Sequence, residues 1–130
     1  MFTLDQIHQI HSNVKSGADF PQYVQKLKAL GVDYYDLYVA DGRAVYTGAN
    51  GFQLSSEAHY PALPIAEVPS IELLKHALLI HQQGQTDYLT FCQQAAQAGV
   101  EKWTTHMLDL TVVYYDQAGN PLVTEAIPTV

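Results

Sequence analysis

LGVDYYDLYVADGRAVYTGANGFQLSSEA, residues Leu30 to Ala58, is the stretch on which the fold turns, because the chain carries it a second time. The second version is AGVEKWTTHMLDLTVVYYDQAGNPLVTEA, Ala98 to Ala126. Set together without a gap, at an offset of 68 residues, Gly31, Val32, Asp41, Val45, Tyr46 and Gly51 meet Gly99, Val100, Asp109, Val113, Tyr114 and Gly119. Leu54, Glu57 and Ala58 meet Leu122, Glu125 and Ala126, and Tyr35 meets Trp103. Carried backward, the same offset pairs Asp19 with Asp87 and His8 with His76, although identity fades there. The pattern predicts an internal duplication.

Working outward, each unit decodes alike. In FTLDQI, Thr3 suits an N-cap and Gln6 its capping-box partner, with Phe2 stapled to Ile7. The helix so begun buries Leu4, Ile7, Ile10 and Val14. Asp19 is placed to cap a second helix, along which Phe20, Tyr23, Leu27 and Leu30 recur at helical spacing. Gly31 stops it in the left-handed conformation that glycine adopts cheaply. VDYYDLYV alternates as a strand with Tyr35, Leu37 and Val39 on one face. ADGR then turns through Asp-Gly, AVYT is a second strand, and GANG leads into FQLS. Unit two predicts a helix from Ser70 to about Gln82, a corner, a helix from Asp87 to Ala98 and three more strands. IHQQGQTDYLTFC, Ile80 to Cys92, is that corner: Gly84 stops one helix, and Asp87 or Thr86 caps the next.

The expected class is therefore α+β: a helix–helix–three-strand meander unit present twice, its antiparallel sheet or sheets packed by helices. A single domain spans 1–130, with units at about 1–60 and 69–130. The linker at about 59–69, HYPALPIAEVPS with its three prolines, is predicted extended and suited to covering an edge strand or presenting a partner surface.

Composition narrows the setting. At 130 residues, 48% hydrophobic and 15% charged, the chain is an ordinary globular domain. Thirteen acids against six bases, net −7, disfavour nucleic acid and anionic lipid. No apolar run approaches the roughly 20 residues of a membrane span. MFTLDQIHQI lacks the basic start and apolar block of a secretory signal, and one cysteine makes no internal disulfide. A cytoplasmic home follows.

Several residue sets could carry chemistry. His81, Cys92 and Glu125 are the catalytic candidates, with a Cys92–His81 dyad oriented by Asp87 as one arrangement. Against it, Cys92 occupies the place of Val24 on an apolar helix face, and His81 suits a core-edge histidine bonded to a carbonyl. Its helix C-terminus favours the charged form. Glu57 and Glu125 would make a paired-carboxylate site if the two units brought them together. Tyr35, Trp103, His106 and Tyr114 are the ligand-binding candidates, since phenol and indole combine apolar surface with one polar tip. His8 with His11 and His76 with His81 lack a carboxylate at ligand spacing, so no metal is expected, and no cofactor fingerprint is present.

HQQGQTDYLTFCQQAAQAGVEKW, followed by YYDQAGNPLVTEAIP, resembles the YbcV-like family of small bacterial proteins, whose members are sometimes labelled phage envelope protein. YVADGRAVYTG extends the likeness over nearly the whole chain. The resemblance implies no activity, cofactor or catalytic residue. The functional expectation is a cytoplasmic binding or protein-interaction module, with enzyme activity and a homodimer both left open. The alternatives are a small hydrolase- or isomerase-type enzyme with a His/Cys/Glu cleft, and a phage-related structural component.

Overall fold

Helix starts and stops in the chain are written largely in side chains that satisfy free backbone groups. A computed structural model describes residues 2–14 and 19–128. Thr3 accepts from the Gln6 amide at 3.2 Å while the Gln6 side chain takes the Thr3 amide at 2.9 Å, and α1 (Leu4–His11) begins. Within α2 (Phe20–Leu30), Pro21 sits in the first turn, where its missing N–H costs nothing. Asp19 stands at the N-cap position in helical rather than the extended conformation usual for a cap. Ser70 caps α3 (Ile71–Gln82) by accepting from the Leu73 amide, and Asp87 caps α4 (Tyr88–Gln97) by accepting from the Thr90 amide at 2.8 Å.

The corner between α3 and α4 forms as expected. Gly84 is left-handed at φ 77°, its N–H bonds to the His81 carbonyl, and the Gln85 N–H bonds to the Ile80 carbonyl. This pair of bonds closes the helix end in a Schellman motif. The link aligned with it in unit one falls on residues 15–18, which lie outside the described residues.

Six strands follow from the alternating stretches: β1 (Val32–Tyr38), β2 (Ala44–Gly48), β3 (Gln53–Ser55), β4 (Lys102–His106), β5 (Thr111–Tyr115) and β6 (Pro121–Ala126). They make one antiparallel sheet in the order β3-β2-β1-β4-β5-β6. The two meanders thus lie side by side and join through their first strands. At that join Asp36 stands opposite Thr104, two positions that the 68-residue offset also pairs. Four helices and six strands make the class α+β among the described residues.

Alternation sends Tyr35, Leu37, Ala44, Tyr46, Trp103, Thr105, Val112 and Tyr114 to one face of the sheet, all buried. Ile7, Val24, Leu27, Leu74, Ala77, Leu78, Phe91 and Cys92 from the helices meet them in one core. Each such aliphatic side chain contributes about 1.5–3 kcal/mol by leaving water. Val45 and Val113, which alternate to the opposite face, take no part in that core.

Two expectations are corrected by this topology. Glu57 follows β3 and Glu125 lies in β6, at opposite edges of the sheet. With five strand spacings of about 4.8 Å between them, they form no carboxylate pair. The linker covers neither edge strand. It crosses from the β1–β2 turn, where Leu63 N–H bonds to Ala40, to the end of α4, where Ala66 and Ser70 bond to Ala96 and Ala98.

Candidate functional site

Three of the four ligand-binding candidates lie in the buried layer between helices and sheet. Tyr35, Trp103 and Tyr114 are 4–6% exposed. The Trp103 ring packs on Tyr114 at 5.7 Å and on Phe91 at 5.5 Å, and the Tyr35 ring on Tyr46 at 5.4 Å. Burial pushes the Tyr35 and Tyr114 phenols far above their ordinary range, the nearby Glu125 adding to the effect at Tyr114. Trp103 and Thr105 flank the Tyr35 hydroxyl and oppose its shift, but burial outweighs them. The fourth, His106, is on the other face of the sheet, so the four do not share one pocket.

The catalytic candidates each have separate partners. His81 Nδ1 lies 3.1 Å from the Thr86 carbonyl oxygen and 3.2 Å from its hydroxyl, and its ring stacks on Phe91 at 4.7 Å. Burial lowers its pKa more than the Thr86 carbonyl and Asp87 raise it. The helix end does not make this histidine charged; desolvation favours the neutral ring. Asp87 spends its carboxylate on the Thr90 amide. Cys92 is fully buried beside Tyr60 and Tyr88, and burial pushes its thiol up, away from the nucleophilic thiolate, although both phenols work against that shift. Tyr88 is partly exposed as a residue, while burial, with Cys92 beside its hydroxyl, pushes its phenol well above the ordinary range. Glu125 accepts from the Gln82 amide at 3.1 and 3.2 Å. Among the described residues no group of three or more His, Cys, Asp or Glu side chains is arranged to hold a metal ion.

The face without helices is organised differently. Opposite one another across the central β1–β4 pair stand Tyr34 and His106, Asp36 and Thr104, Tyr38 and Lys102. The Thr104 hydroxyl donates to Asp36 Oδ1, and Lys102 Nζ lies 3.6 Å from the same oxygen. Lys102 Nζ is also 5.9 Å from the Tyr38 ring centre and 5.5 Å from that of Tyr115, and Arg43 lies 4.6 Å over Tyr38. Tyr34 and His106 pack at 6.0 Å. A solvated sheet face ordinarily shows simple polar side chains. This one shows three tyrosines, a histidine and two cations in a continuous strip.

Of these residues His106 was one of the four ligand-binding candidates. The signal for β1 was present in VDYYDLYV, whose outward positions hold two tyrosines where polar residues are the rule. The signal for the strip was not, since β1 and β4 are separated by more than sixty residues.

Fold and surface together define an α+β protein whose six-stranded antiparallel sheet packs its helices against one face. A family model described as protein of unknown function (DUF1398) matches residues 8–126, and the chain belongs to that family. Among curated proteins, none matches it. No helix among the described residues is long and apolar enough to cross a membrane.

Proposed function

We propose that this protein is a binding module whose working surface is the helix-free face of its sheet, centred on the β1–β4 pair. One observation carries the proposal: Tyr34, Tyr38, Tyr115, His106, Lys102 and Arg43 share a strip on the sheet face opposite the one that, among the described residues, packs the helices. Aromatic rings and arginine are the side chains that dominate binding energy at protein interfaces. The Asp36–Lys102–Thr104 group at its middle is partly desolvated, with 18% and 33% of the two charged side chains exposed, and so fixes the strip in one geometry. A protein partner suits this surface better than nucleic acid, because the chain carries a net charge of −7. A cytoplasmic setting, the YbcV-like relationship and the duplicated origin belong to the same proposal. The opposition of Asp36 and Thr104 supports the last of these.

The test is photo-crosslinking in cells with benzoylphenylalanine placed at Tyr38 or Tyr115, against Lys26 and Glu72, both exposed on helices. Discrete adducts from positions 38 and 115, absent at 26 and 72 and lost with Lys102→Glu, are expected. No adduct from the sheet face, or the same bands from the helical controls, would overturn the proposal.

A further inference from the structure

The two edges of the sheet are treated unequally. β6 begins with Pro121, faces an irregularity in β5 between Tyr114 and Tyr115, and sends Glu125 inward to be held by Gln82 of α3. Proline, a bulge and an inward charge are the means by which proteins keep an edge from pairing with another chain. The opposite edge, β3, is Gln53, Leu54 and Ser55, with no proline, no charge and no register shift against β2.

Its backbone is aimed outward. Phe52 and Gly48, and Ser56 and Ala44, are bonded across the β2–β3 pair, and Leu54 stands opposite Tyr46 between them. The alternation of an antiparallel ladder therefore directs the N–H and C=O groups of Gln53 and Ser55 away from β2, along the free edge. Beside that edge, on the helix side, lies a shallow groove of about 520 Å³ lined by Phe2, Thr3, Leu4, Asp5, Phe52 and Leu54. Phe2 and Phe52 hold its wall in edge-to-face contact at 5.0 Å.

We propose that the β3 edge docks an extended segment of another protein, adding it as a seventh strand with apolar side chains at alternate positions and basic side chains beside them. The residue placed opposite Leu54 would drop its side chain into the groove, while the backbone bonds of Gln53 and Ser55 supply affinity without sequence preference. Charge selects the partner. Asp5 lines the groove and Glu57 is exposed just past β3, whereas among the described residues no lysine or arginine lines it. A second copy of this chain would bring another net charge of −7, another Asp5 and another Glu57 to the same place. An added strand that is apolar at the positions facing the groove and basic at the alternate ones fills the groove with the first and sets the second on the face of Gln53 and Ser55, where the alternation also places Glu57.

The probe is a capped eight-residue peptide of alternating valine and lysine, titrated into the 15N-labelled full chain, with alternating valine and glutamate as control. The lysine peptide is expected to move the amide signals of Gln53, Leu54 and Ser55 and of residues 2–5, and the glutamate peptide to leave them in place. Ser55→Pro removes only an outward N–H, which an edge strand tolerates, and should weaken binding at least tenfold. Ser55→Lys, which keeps the backbone intact, should weaken it by repulsion. Shifts centred on β6, equal binding of both peptides, or binding unchanged by both substitutions would overturn the proposal. So would concentration-dependent movement of the same signals without peptide, which would give the edge to a second copy.

Discussion

Thr105 is the residue at which the core departs from ordinary construction. It is fully buried in β4, and its hydroxyl has no hydrogen-bond partner of good geometry although the Tyr35 phenol is adjacent. A buried hydroxyl without a partner costs about 1–3 kcal/mol. Thr105→Val keeps the branched shape that a strand favours and removes the polar atom. It is expected to raise unfolding free energy by about 1 kcal/mol in urea titration. A loss of that size instead would mean that the hydroxyl is bonded to Tyr35 in solution.

At the scale of elements, the turns that end α4 and join β5 to β6 provide a matched comparison. Gly99 and Gly119 have nearly the same left-handed backbone, φ 84° and 85°. A Cβ at Gly119 would meet nothing within 4 Å, whereas at Gly99 it would lie 2.7 Å from Pro69 Cα. Gly119→Ala should therefore cost only the backbone term, about 1–2 kcal/mol. Gly99→Ala should cost about 1–3 kcal/mol beyond that, because the linker backbone must move. Chemical denaturation of both variants measures the difference. Equal losses would show that Pro69 yields freely and that the linker is not pinned against α4.

For the whole molecule, the pH dependence of stability follows from two histidines. Burial lowers the pKa of His81, and of His11, where His59 and His8 add repulsion. Near pH 6 the folded chain therefore binds fewer protons at these sites than the unfolded chain, whose imidazoles titrate at about 6.5. Their stabilising contribution is complete above that value and is lost as pH falls through it toward the lowered folded values. Thermal melts should drop between about pH 7 and 5, and His81→Gln should flatten part of the slope. Asp87 acts in the same direction but lower on the pH scale: its bonds to Thr90 lower its pKa, so its contribution is complete above the ordinary carboxylate range and is lost only as the pH falls below it. A melt unchanged down to pH 5 would mean that neither imidazole is desolvated in solution.

Local chemistry accounts for what the sequence determined by itself. Thr3 with Gln6, Ser70, Gly31, Gly84 and Asp87 set helix boundaries because capping and left-handed turns depend on neighbours a few residues away. Alternation in VDYYDLYV divided β1 into faces, and the buried positions of Tyr35, Leu37 and Val39 agree with it. The tertiary structure alone decided that β1 pairs with β4 in register Asp36–Thr104, because pairing between distant strands leaves no mark at short range. That one pairing sends Glu57 and Glu125 to opposite edges and splits His106 from Tyr35, Trp103 and Tyr114. It also assembles Lys102, Tyr38 and Tyr115 into a surface that neither half of the chain carries alone.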